Sequence, residues 1–132
     1  SDKISGGCLC GAVTYEVVND FTRFIFVIGT MSKITGSAHA SNLFTRPDAI
    51  KWTAGDGLEN NSTIQTVILR SVLHECGSGL PFVTSSGKAL IVPAGSLDAQ
   101  PNIQPNDNIF WAERASWYDD GKQAKQCEGF PS

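Results

Sequence analysis

The sequence predicts a mainly β domain over residues 1–132, and three observations point that way. Its 13 glycines and 6 prolines are dispersed along the chain, so they punctuate many short elements rather than forming a low-complexity tract. Apolar residues recur at strand spacing or in short runs. No stretch carries the sustained 3.6-residue period of a long amphipathic helix. With 41% hydrophobic and 17% charged residues the chain can build a core, which excludes disorder. At this length roughly two-thirds of the unfolded surface can be buried, enough for a core that needs neither metal nor disulfide.

The elements follow in order. A flexible glycine pair, Gly6-Gly7, opens a turn through Cys8-Leu9-Cys10-Gly11, and Val13, Tyr15 and Val17 then stand at strand spacing. From Phe21 to Ile28 the second half is an almost unbroken apolar run, as in a strand covered on both faces, and Gly29 ends it. Lys33 to Ser41 is small and polar, suited to a loop or short helix, with a further strand beginning over Ala40 to Phe44. A short strand and turn are expected over Ile50–Gly57, a polar linker over Glu59–Ser62 and a strand over Ile64–Leu73. Cys76-Gly77-Ser78-Gly79 reads as a tight loop. Phe82–Thr84 and Ala89–Val92, joined by Ser85-Ser86-Gly87-Lys88, have the layout of a β-hairpin closed by Pro93. Beyond Asp98 the chain is rich in Pro, Asn and Gln up to Ile109-Phe110-Trp111, and a polar tail follows with Trp117 and Tyr118 as its anchors. There is no internal repeat.

Charge narrows the function classes. A formal net charge of −3 is opposite in sign to what phosphate binding favours, so nucleic acid is set aside as a partner. No apolar run approaches the ~18 residues of a membrane-spanning helix, and the opening residues lack the charged-then-apolar layout of a secretory signal. The expectation is a cytoplasmic chain without membrane contact, in which the sequons at Asn60 and Asn61 arise by chance. Phosphate-loop, nucleophile-elbow and His-Glu-x-x-His patterns are absent.

Cys8, Cys10, Cys76 and Cys127 in such a chain point to metal ligands, catalytic groups or buried apolar side chains rather than to a disulfide framework. In extended chain Cys8 and Cys10 project to one face with Leu9 opposite, so both sulfurs could reach one ion. A tetrahedral zinc needs two more ligands. Cys76, in a glycine-rich loop, is the natural third, and the position three residues before it is Leu73.

Four segments then carry a resemblance in order along nearly the whole chain: Gly6-Gly7-Cys8-Leu9-Cys10-Gly11-Ala12-Val13, Lys33-Ile34-Thr35-Gly36-Ser37-Ala38, Cys76-Gly77-Ser78, and Pro93-Ala94-Gly95-Ser96-Leu97-Asp98, with a matching tail from Ile109 to Tyr118. The sequence resembles the glutathione-dependent formaldehyde-activating enzyme family, which includes the centromere protein V group. The resemblance implies a carbon-sulfur lyase that joins formaldehyde to glutathione as S-hydroxymethylglutathione. It also implies twisted antiparallel sheets with little helix, similar to the fold of methionine sulfoxide reductase B.

The family carries a Cys-x-Cys-x-x-Cys run before the Thr-Gly-Ser segment for its catalytic zinc, and the resemblance places Phe26, Ile28 and Met31 at those positions. A thioether is a poor zinc ligand and Phe and Ile have no donor atom, so no catalytic zinc is expected. Phe26 and Ile28 would each gain about 1.5–3 kcal/mol from full burial instead. The family's structural zinc set is matched by Cys8, Cys10 and Cys76, with its fourth ligand missing at Leu73. Zinc is retained if water or another residue completes the tetrahedron; otherwise these are reduced, mostly buried thiols. His74 would point away from Leu73's face in extended chain. Cys127 aligns with an aromatic position of the tail and is read as an unliganded thiol.

His39 and His74 are the near-neutral proton carriers. His39 follows the segment that the family sets beside its catalytic metal, so it is the candidate acid-base residue, with Ser37 or Asp98 nearby. Lys33 and Arg70 could bind a substrate carboxylate or be solvated charges. Trp52, Trp111 and Trp117 read first as packing. Two functions compete: an enzyme with impaired or altered family activity or metal-free proton transfer, and a non-catalytic binding module on the same fold. A small-molecule thiol such as glutathione is the candidate partner; the sequence leaves the oligomeric state open.

Overall fold

The computed structural model describes residues 2–29, 35–55, 77 and 79–131. The strand expected over Ile64–Leu73, together with Cys76, His74, Met31, Lys33 and Arg70, lies outside the described residues. Strands run in the order β1 (Lys3–Gly7), β2 (Thr14–Val18), β3 (Arg23–Ile28), β4 (His39–Thr45), β5 (Ile50–Ala54), β6 (Phe82–Val83), β7 (Leu90–Pro93) and β8 (Asp107–Ile109), followed by a short helix α1 (Tyr118–Gln123). They form a three-stranded sheet, β1-β2-β5, and a five-stranded sheet, β6-β7-β4-β3-β8. The mainly β class holds.

Period-two patterning decides the smaller sheet. Tyr15 and Val17 of β2 are fully buried while Thr14, Glu16 and Val18 are partly exposed. Across the strand pairs Glu16 faces Lys51 on the outer side, an opposite-charge pairing, and Tyr15 faces Trp52 on the inner one. In the larger sheet β3 has neighbours on both edges, and Phe24, Ile25 and Ile28 are all buried. Ile4, Tyr15 and Val17 of one sheet meet Phe24, Leu43, Leu90 and Val92 of the other in a common core. A second cluster of Cys8, Val13 and Leu80 adjoins it through Trp52, which packs edge-on against Tyr15 at 5.8 Å. Trp52 is thus a packing residue.

Three local outcomes differ from the sequence reading. Gly6-Gly7 is the end of β1, not a flexible turn: Gly6 pairs with Tyr15, and a Cβ there would lie 2.4 Å from the Tyr15 ring and 2.7 Å from the Ser96 carbonyl oxygen. The missing side chain makes room for a buried tyrosine. Secondly, β8 runs parallel to β3, whereas the other strand pairings among the described residues are antiparallel. The Pro- and Asn-rich approach explains the direction. The Phe21 N–H donates to Asn102 Oδ1 at 2.8 Å and Asn102 Nδ2 donates back to the Phe21 carbonyl at 3.2 Å, and the Phe24 N–H donates to Asn106 Oδ1 at 3.1 Å. Asparagine amides, each both donor and acceptor, tie this segment alongside the entry to β3 until true ladder bonds begin. Thirdly, the tail forms a 3-10 turn at Trp111–Glu113 and then α1, with Tyr118 partly buried but Trp117 exposed, so Trp117 is no anchor.

Candidate functional site

The loop from β1 to β2 places the first two cysteines. The Cys8 N–H donates to the Val13 carbonyl at 3.1 Å and the Gly11 N–H to the Cys8 carbonyl at 3.2 Å, with Gly11 at φ +81. The pair therefore sits in a tight turn rather than in extended chain, because a glycine supplies the left-handed residue that closes it. The outcome for the sulfurs is the same. Cys8 Sγ and Cys10 Sγ are 3.5 Å apart, and the Val13 N–H donates to Cys8 Sγ at 3.3 Å. Cys8 is buried, whereas Leu9 and Cys10 are exposed. Two thiolates on a tetrahedral zinc with arms of about 2.3 Å stand about 3.8 Å apart, so the spacing fits a chelating pair. Cys127 is exposed near the end of the chain.

The second locus lies on β3 and β4. Phe24, Phe26 and Ile28 alternate with Ile25 and Val27. Ile28 is fully buried, and Phe26, packed against the core, sets its ring edge-on to Phe24 at 5.8 Å. Phe26 also stacks on the His39 ring, with centroids 4.2 Å apart and planes 16° from parallel. Opposite Phe26 stands Ser41, whose Oγ is 3.3 Å from His39 Nδ1, two residues along the same strand and hence on the same face. Tyr118 of α1 tilts toward His39 at 6.1 Å and meets Trp111 edge-on at 5.5 Å, and the Arg114 guanidinium lies 4.7 Å over Trp111. Ser37, expected near His39, is exposed and its N–H instead donates to Thr35 Oγ1 at 3.1 Å.

A groove of about 720 Å³ opens beside this locus, lined by Phe24, Phe26 and Ser41 on one side and by the chain from Ala94 to Pro101 on the other. A smaller one of about 370 Å³ adjoins Cys8 and Leu9, and Gly95 and Asp98 line both. The loop between them is held at several points. The Leu97 N–H donates to the Ala94 carbonyl at 3.2 Å, the Asp98 N–H to the Ser5 carbonyl at 2.9 Å, and the Ser96 hydroxyl to the Pro93 carbonyl at 2.7 Å. Tyr15 completes the clamp with its phenol 2.5 Å from Ser96 Oγ. Burial pushes the Tyr15 phenol up to about 12, with the Asp98 charge adding to the rise and the Ser96 bond opposing it. Thus Asp98 lines the same groove as Ser41.

The sequence model of the family described as Glutathione-dependent formaldehyde-activating enzyme matches residues 3–113. The chain belongs to that family. No curated protein matches it. A crystal structure of a Rhodobacter sphaeroides protein, a structural-genomics target, is similar with a TM-score of 0.54 and 17% identity over 80% of this chain and 99% of that one. That likeness concerns the fold.

Among the formaldehyde-activating relatives' two zinc positions implied by resemblance, this chain treats each differently. Phe26 and Ile28, which the resemblance sets at the catalytic position, offer no donor atom, and the third residue there, Met31, lies outside the described residues. At the other, Cys8 and Cys10 fit by spacing, while Leu73 and Cys76 lie outside the described residues. Among the described residues no three His, Cys, Asp or Glu side chains gather as a metal site. Nor does any described helix have the length and apolarity to cross a membrane. The neighbours of His39 were the part missed from sequence: Ser41 was detectable as the i+2 residue of a strand, whereas Phe26 and Tyr118 carried no local signal.

Proposed function

We propose that this chain is a formaldehyde-activating-enzyme relative whose catalytic metal centre has been replaced by apolar packing, leaving the family's lyase activity impaired or altered. One observation carries the reading: Ile28 is wholly enclosed and Phe26 is stacked on His39, where the resemblance sets zinc thiolates. Burial of these side chains stabilises the fold by about 1.5–3 kcal/mol each at most, and Ile28 gains that in full. Cys8 and Cys10, with Cys76, would hold a zinc that ties loops together and takes no part in a reaction. Thiols in this arrangement suit a reducing, cytoplasmic compartment and a thiol partner such as glutathione.

Elemental analysis of protein purified without added metal or chelator, followed by titration with glutathione, tests the reading. Fewer than two zinc ions per chain are expected, together with S-hydroxymethylglutathione formation no faster than the uncatalysed reaction. Two zinc ions, or brisk turnover by the unmodified chain, would overturn it. The contact between His39 Nδ1 and Ser41 Oγ beside a groove favours a second reading, metal-free proton transfer on a small molecule. In that case a small ligand binds near His39, and His39→Ala abolishes turnover; a non-catalytic module tolerates the change.

A further inference from the structure

We propose that the groove between Phe26 and Asp98 binds a small organic cation, an ammonium group carried on an apolar or aromatic body. It is an open groove of about 720 Å³, room enough for a small molecule. One wall is aromatic, formed by Phe24 and Phe26, and Leu97 and Pro101 extend the apolar surface. The charge in it is negative. Among the described residues Asp98, like Asp2 and Asp120, makes no ion pair, whereas Asp20 and Asp48 are paired with Arg46, Asp107 with Arg23 and Asp119 with Lys122. A carboxylate that lines one groove with aromatic rings is suited to an ammonium, through a charge-assisted hydrogen bond and attraction to the ring quadrupole.

Four further features fit a cation. The Asp98 carboxylate stands on a loop already tied to Ser5, Pro93 and Ala94 by hydrogen bonds, so little ordering is lost when a ligand binds. Ser41 adds a hydroxyl oxygen that can accept from an N–H. Tyr15, behind the loop, is held neutral up to about pH 12 by burial, so it brings no second charge to compete with or reinforce Asp98. The chain's net charge of −3 draws cations and repels carboxylates at longer range. None of this depends on whether the chain turns over a substrate.

The test is an NMR titration of the full chain with 2-phenylethylammonium, alongside 2-phenylethanol and phenylacetate, which share the ring but carry no charge or the opposite one. Saturable shifts centred on the amides of Phe26, Ser41, Leu97, Asp98 and Gln100 are expected with the ammonium, and binding of the two controls at least about tenfold weaker. Asp98→Asn, an isosteric change at an exposed residue, should reduce ammonium affinity about tenfold while leaving the remaining spectrum native. Equal affinity for the alcohol, undiminished affinity in Asp98→Asn, shifts centred elsewhere or a failure to saturate would each overturn the proposal.

Discussion

Raising the pH through the range in which tyrosine ionises probes the Tyr15 clamp most directly. Tyr15 is fully buried, its phenol is bonded to Ser96, and its ionisation is pushed from 10.0 to about 12. In the unfolded chain the phenol ionises near its ordinary value, so between about pH 10 and 12 the unfolded state has released a proton that the folded state still holds. Stability is therefore fully present below about pH 10 and lost as pH rises toward about 12. Two units correspond to about 2.7 kcal/mol in all, half of it gone by about pH 11. Tyr15→Phe removes the ionisation and the Ser96 bond together, which costs about 0.5–1.5 kcal/mol at neutral pH. The two proteins' stabilities should thus converge and meet near pH 11, measured by urea unfolding at a series of pH values. Tyrosinate absorbance should show one phenol titrating late. Parallel losses in the two proteins from about pH 9 to 11 would refute the reasoning, since the difference between them isolates Tyr15 from every lysine and cysteine that titrates in the same range.

Gly6→Ala places a methyl 2.4 Å from the Tyr15 ring and 2.7 Å from the Ser96 carbonyl, both enclosed, so it should destabilise by about 2 kcal/mol or more in chemical unfolding. Leu43→Ala, at a fully buried position where the two sheets meet, should cost about 2–5 kcal/mol through lost transfer energy and a residual cavity, with the denaturation midpoint as the measure. By contrast Asp107→Asn, which breaks an ion pair to Arg23 whose side chains are 59% and 45% exposed, should change stability by less than about 0.5 kcal/mol, less still in high salt.

What could be read in the chain was what depends on near neighbours. Alternation at Tyr15 and Val17, the apolar run into Ile28, and the glycine-bearing turn between Phe82 and Val92 specify strands and a hairpin because side-chain direction repeats every two residues. Cys8 and Cys10 were legible as a pair for a related reason. Two residues apart they could hardly avoid each other, although the turn that joins them differs from the extended geometry assumed.

Only the tertiary structure decided the rest, since it turns on partners far apart in sequence. Gly6 reads locally as flexibility, and only the ring of Tyr15 packed over it reveals a space that must stay empty. The asparagines after Asp98 read as loop residues, yet Asn102 and Asn106 tie the segment to the start of β3 and set the parallel direction of β8. His39 was visible as a titratable side chain, but its surroundings came from three separate places: Phe26 from the neighbouring strand, Ser41 from its own and Tyr118 from a helix near the end of the chain. A sequence states which groups a protein possesses; which of them share a groove, as Asp98 and Phe26 do, follows from burial and strand register across the whole fold.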